Sequence, residues 1–137
     1  MGKYEIEIVD YGQGYMHQSI LSSLTGLEFD EVDKVVRSIR RKRWGGQTFI
    51  KAFQALGFNT NPRFVKFDPE TPYPCILRCS GQNKGYWYVF YYNDGIIYDG
   101  HMHSFALGDA SKVRKYNNSY FLKRYGMKVT SMLEVGI

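Results

Sequence analysis

The chain has 137 residues, 44% hydrophobic and 23% charged, with a formal net charge of +5. That balance suits one globular domain with room for a core and excludes a disordered or collagen-like chain. The apolar runs are too short to cross a bilayer, and the acidic N-terminus lacks the pattern of a secretory signal, so a cytoplasmic protein with reduced Cys75 and Cys79 is expected.

In chain order, "KYEIEIVD" alternates Tyr4, Ile6 and Ile8 with Glu5 and Glu7, the pattern of a half-buried strand. From Met16 the apolar positions are Met16, Ile20, Leu21 and Leu24, a helical stripe that Gly26 stops. "FDEVDKVVRSIRRKRW" spaces Val32, Val35, Val36 and Ile39 as an amphipathic helix. Asp30 is its expected N-cap, and its arginines lie in the last turn, as the helix dipole favours. "QTFIKAFQAL" is a third helix closed by Gly57. Beyond it the period changes. "RFVKF", "CILRC", "YWYVFYY" and "GIIYD" are short, β-branched or aromatic runs between turn residues, and "NDG" marks a hairpin. "SYFLKRYG" reads as a short helix and "MKVTSMLEV" as a last edge strand. The expectation is a single α+β domain over 1–137, with N-terminal helices over 14–58 packed on a C-terminal antiparallel sheet over 62–137.

Charge is unevenly spread along this order. Residues 1–36 hold two Lys against seven Asp/Glu, whereas residues 37–66 hold eight Lys/Arg and no acid. The molecule therefore has an acidic edge and a basic face.

Three stretches carry a resemblance: "YMHQSILSSLTG" with the following "LEFDEV", then "GGQTFIKAFQALGF", then "PYPCILRC" through "GYWYVFYYNDGIIYDG". Together they resemble the papain-like cysteine peptidases, in the compact form of bacteriocin-processing peptidase domains and small phage proteins. The resemblance implies a nucleophile at the head of the first helix, a base at the start of a later strand and an acid after it. Counting back from Thr25 and Gly26 puts Met16 in the nucleophile slot. The base slot falls on Tyr86, Trp87 or Tyr88, and Asp99 alone matches, at the orienting acid. Gln13 resembles the oxyanion glutamine, but it stands closer to Met16 than the family places it. At the usual spacing it points to Ser19 instead.

A thioether cannot be deprotonated, so Met16 cannot attack. A hydrolase would need Ser19 or a cysteine as nucleophile, His17 or His101 as base and Asp99 to orient it. His101 and His103 form a His-x-His pair, too little on its own to define a metal site, and no metal or other cofactor is expected. Arg37, Arg40, Arg41, Lys42 and Arg43 with Trp44 form a basic stretch that could grip an acidic protein patch or a nucleic-acid backbone. Trp87 and Tyr91 are further binding candidates, since aromatic residues carry much interface energy.

The expected function is that of a papain-like pseudoenzyme, a phage or mobile-element protein that binds, and can inhibit, a host macromolecule. A host protein is the first expected partner, in the host cytoplasm and with no membrane involved. The alternatives are an active hydrolase with a non-standard nucleophile and a nucleic-acid binder using residues 37–44.

Overall fold

A computed structural model describes residues 6–39, 43–68, 70–80, 86–91, 96–99, 104–106, 120–122 and 127–137. Three helices precede seven strands, an α+β order: α1 Met16–Thr25, α2 Phe29–Ser38, α3 Gly46–Ala55, β1 Val65–Lys66, β2 Cys75–Ser80, β3 Tyr86–Tyr91, β4 Ile96–Asp99, β5 Ser104–Ala106, β6 Tyr120–Leu122 and β7 Met127–Glu134.

The helices form where their apolar stripes demand it. Ile20, Leu21 and Leu24 of α1, Val32 of α2 and Phe49, Ile50, Ala52 and Phe53 of α3 meet in one buried cluster. α1 stops at Gly26, whose φ of 75° is the left-handed conformation that ends a helix cheaply only at glycine. α3 ends in a Schellman motif. Phe58 N–H donates to the Phe53 carbonyl at 2.9 Å, Gly57 N–H donates to Gln54 at 3.0 Å, and Gly57 has φ 84°. α2 begins earlier than Asp30. The Glu31 and Val32 N–H groups donate to the Glu28 carbonyl, so Glu28 is the cap residue and Asp30 lies in the first turn with Glu31. Phe29, one of a set of three touching rings with Tyr11 and Tyr15, is thereby the first helical residue.

All pairings in the sheet are antiparallel, in the order β1-β7-β2-β3-β4-β5, with β6 also pairing β7. β7 is thus an interior strand, not the expected edge. β2 covers one side of it, and β1 and β6 pair with different stretches of the other. The helix expected over "SYFLKRYG" is also corrected, since residues 120–122 form β6. The N-terminal strand is a third correction. Residues 3–5 lie outside the described residues; over residues 6–10, Ile6 and Ile8 pack on the core, but no strand ladder forms among the described residues. Instead the Val9 N–H donates to the Ser23 hydroxyl at 2.9 Å, and that hydroxyl donates to the Val9 carbonyl at 3.2 Å.

Register places Ile76 opposite Leu133 on one side and Val89 on the other, with Val89 opposite Tyr98. Ile76 and Leu133 belong to the helical core, and Tyr98 packs against it. Cys75, Leu77, Cys79 and Met132 are buried too, outside that cluster. Strand alternation puts the cysteines and Leu77 on the opposite face of β2 from Ile76, so β2 is buried on both faces. Between Arg78 and Cys79 the register shifts against β7, and the hydroxyl of Thr130, the residue skipped by the pairing, donates to the Arg78 carbonyl at 3.0 Å.

Candidate functional site

The head of α1 is where nucleophile chemistry would sit. A turn closed by the Tyr15 N–H on the Gly12 carbonyl, at 3.1 Å, leads into it and leaves Gln13 exposed. Met16 is half-buried and packs against the helical core. Ser19 is 1% exposed, and its hydroxyl accepts the Tyr11 N–H at 3.0 Å. His17 stacks on Trp44, with ring centroids 4.2 Å apart and planes 19° from parallel. Trp44 in turn meets the edge of Phe49 at 5.1 Å. Burial pulls the His17 pKa down from 6.5 to about 4, so the imidazole is neutral at pH 7.

Two residues along a helix turn the side chain by about 200°. Ser19 and His17 therefore leave α1 on opposite sides, and the helix itself denies them the hydrogen bond a nucleophile and base require. His101 and His103 lie outside the described residues, so a dyad of Ser19 with His101 is not addressed by the geometry.

For Tyr86, Trp87, Tyr88, Tyr91 and Asp99 the strand and its register are described. Tyr88 stands opposite Asp99, Trp87 opposite Arg78 and Tyr91 opposite Ile96. The pairing thus sets one of the three base-slot positions, Tyr88, directly across from the acid slot. Along β4 it is Tyr98 that packs on the helical core.

Of the basic stretch, Arg37 and Arg43 are exposed, and Arg40, Arg41 and Lys42 lie outside the described residues. Trp44 is corrected as a contact candidate. It is 6% exposed and packed between His17 and Phe49, because a large ring beside a glycine pair is drawn under α1 and α3. Arg37 also has a partner in the fold: its Nε lies 2.8 Å from an Asp33 carboxylate oxygen. The other Asp33 oxygen accepts the Gln18 side-chain amide at 3.2 Å, joining α2 to α1.

Sequence reasoning passed over the serines of α1 as a set. Ser19 holds Tyr11, Ser23 holds Val9, and Ser22 donates to the Leu27 carbonyl at 2.6 Å and shares a 2.8 Å hydrogen bond with the Tyr11 hydroxyl. The signal was available: three serines on a helix otherwise turned into the core need hydrogen-bond partners. Glu134 was also missed. It accepts from the Thr71 hydroxyl and from Asn61 Nδ2 at 3.1 Å, tying the 59–71 connection to β7.

Among the described residues no group of three or more His, Cys, Asp or Glu is placed to hold a metal ion, and no helix is long and apolar enough to cross a membrane. Compared with family models, with curated proteins and with solved structures, the chain matches none.

Proposed function

We propose that the chain is a papain-like domain without a nucleophile or base, acting as a binding protein, and that it is a phage or mobile-element product that holds and inhibits a host macromolecule. The observation that carries this reading is the use made of the reactive groups at the head of α1. Met16 packs on the core, the Ser19 hydroxyl is buried as an acceptor for Tyr11, and His17 is stacked on Trp44. The layout of helices before an antiparallel sheet, with Tyr88 opposite Asp99, supports the papain-like ancestry.

The test is affinity capture from a candidate host lysate with the tagged protein as bait. Wild type should retain a partner whose intact mass is unchanged, and Ser19→Ala should retain it equally. Arg37→Glu with Arg43→Glu should lose it. Partner fragments produced by wild type but not by Ser19→Ala would overturn the reading in favour of a hydrolase.

The exposed guanidinium groups of Arg37 and Arg43 favour a second reading, a nucleic-acid backbone as partner. That reading requires affinity for a mixed-sequence duplex or single strand that falls steeply with salt and with the same double substitution. Salt-insensitive binding would remove it.

A further inference from the structure

We propose that a second face, built from Tyr15, Phe29 and Tyr11 with the carboxylates around Phe29, binds an arginine-bearing peptide segment of a partner protein. Tyr15 is 44% exposed, one of two large hydrophobic residues exposed among the described residues. Its ring stands on Phe29 at 5.6 Å and 73°, and Phe29 meets Tyr11 at 4.9 Å and 71°. The platform is held from below. The Tyr11 hydroxyl is hydrogen-bonded to Ser22, and its N–H donates to Ser19. Rings fixed in this way lose little freedom when a ligand lands on them.

The charge around the platform has one sign. From residue 6 to residue 33 the sequence holds no Lys or Arg, and every charged side chain is a carboxylate. Glu28 and Asp30 flank Phe29, Glu31 follows, and all three are exposed. None of the three makes an ion pair or a side-chain hydrogen bond among the described residues. An aromatic face rimmed by exposed carboxylates suits a planar cation that stacks on a ring and donates to carboxylates at its edge. Arginine does both, and lysine offers only a point charge.

A second copy of the chain is the poorer occupant. The next cations along the chain after this stretch, Lys34 and Arg37, lie on the same helix as the carboxylates, and Arg37 is already held by Asp33 at 2.8 Å. The proposal does not depend on the papain-like reading, since it uses only the surface of residues 11–31.

The test is fluorescence anisotropy of a fluorescein-labelled peptide of alternating arginine and glycine, titrated with the full chain. Lysine and glutamate counterparts of the peptide serve as comparisons. The arginine peptide should saturate, the lysine peptide should bind several-fold more weakly, and the glutamate peptide should not bind. Tyr15→Ala should weaken the arginine peptide about tenfold, between the sizes of an exposed and a desolvated cation–π contact. Tyr15→Phe keeps the ring and should retain binding, which separates loss of the face from loss of the fold. Glu31→Lys should weaken binding and flatten its salt dependence. Absence of binding, equal binding of the lysine peptide, or indifference to Tyr15→Ala would overturn the proposal. So would salt-sensitive self-association in sedimentation that Tyr15→Ala abolishes, because the occupant would then be a second copy.

Discussion

At the scale of single residues, His17 and Ser19 decide what the head of α1 does. His17 is held neutral by burial against Trp44, with a folded pKa of about 4 against 6.5 for the free group. Between those values the unfolded chain takes up the proton and the folded chain does not. The contribution of a neutral His17 to stability is therefore full above about pH 6.5 and is lost as pH falls towards 4. Urea midpoints at pH 7 and pH 4.5 should differ more for wild type than for His17→Phe, which keeps the stack and removes the titration. Equal pH dependence in the two proteins would contradict the burial of His17. Ser19 contributes through its acceptor oxygen. Ser19→Ala leaves the Tyr11 N–H without its partner and should cost about 1 kcal/mol in denaturant unfolding.

At the scale of elements, α1 is a helix whose polar residues face inwards for a reason. Ser19 and Ser23 take over backbone hydrogen bonding of Tyr11 and Val9 that a strand ladder would otherwise provide, and Ser22 holds the Tyr11 hydroxyl. Ser23 is fully buried and satisfies both backbone groups of Val9. Ser23→Ala should therefore cost more than Ser19→Ala, about 1–3 kcal/mol, and should expose residues 6–10 to early hydrogen exchange. At the end of α3, Gly57→Ala should cost about 1–2 kcal/mol, because alanine pays for the left-handed conformation that the Schellman motif requires. Unchanged stability in that variant would mean that the motif is not held in solution.

The elements also show what sequence could and could not reveal. The three helices and the strands at Val65, Cys75, Tyr86 and Ile96 follow from local period and turn residues, which act over a few positions. Three assignments failed because pairing partners, rather than the local period, decide them. Residues 6–10 alternate like a strand but bond to helix serines, β6 pairs with β7, and β7 lies inside the sheet. At the candidate site, the sequence was enough to set aside Met16 as a nucleophile, since thioether chemistry does not depend on the fold. It could not show that Trp44 is roofed by His17, nor that Asp33 also engages Gln18, because each contact joins α1 to a separate part of the chain.

At the scale of the whole molecule, the doubly buried β2 carries both cysteines. Burial pushes the Cys75 and Cys79 thiols up, and at Cys75 the nearby Glu134 charge adds to the effect. They are four residues apart on one strand, about 13 Å by strand rise, too far for a disulfide. Neither thiol should react with Ellman's reagent in the native protein, and both should react once it is unfolded. Rapid native labelling would mean that the far face of the sheet is open. Across the described residues, exposed carboxylates and Tyr15 lie on residues 11–31, and exposed cations lie at Arg37 and Arg43.

The central claim is that the head of α1 carries no nucleophile, with Ser19 and His17 both engaged by the fold. Intact-mass spectrometry after exposure of the native protein to a fluorophosphonate, beside a serine hydrolase as positive control, tests it most directly. The protein should keep its unmodified mass while the control is labelled. An adduct on Ser19 that disappears in Ser19→Ala would contradict the claim and restore the hydrolase.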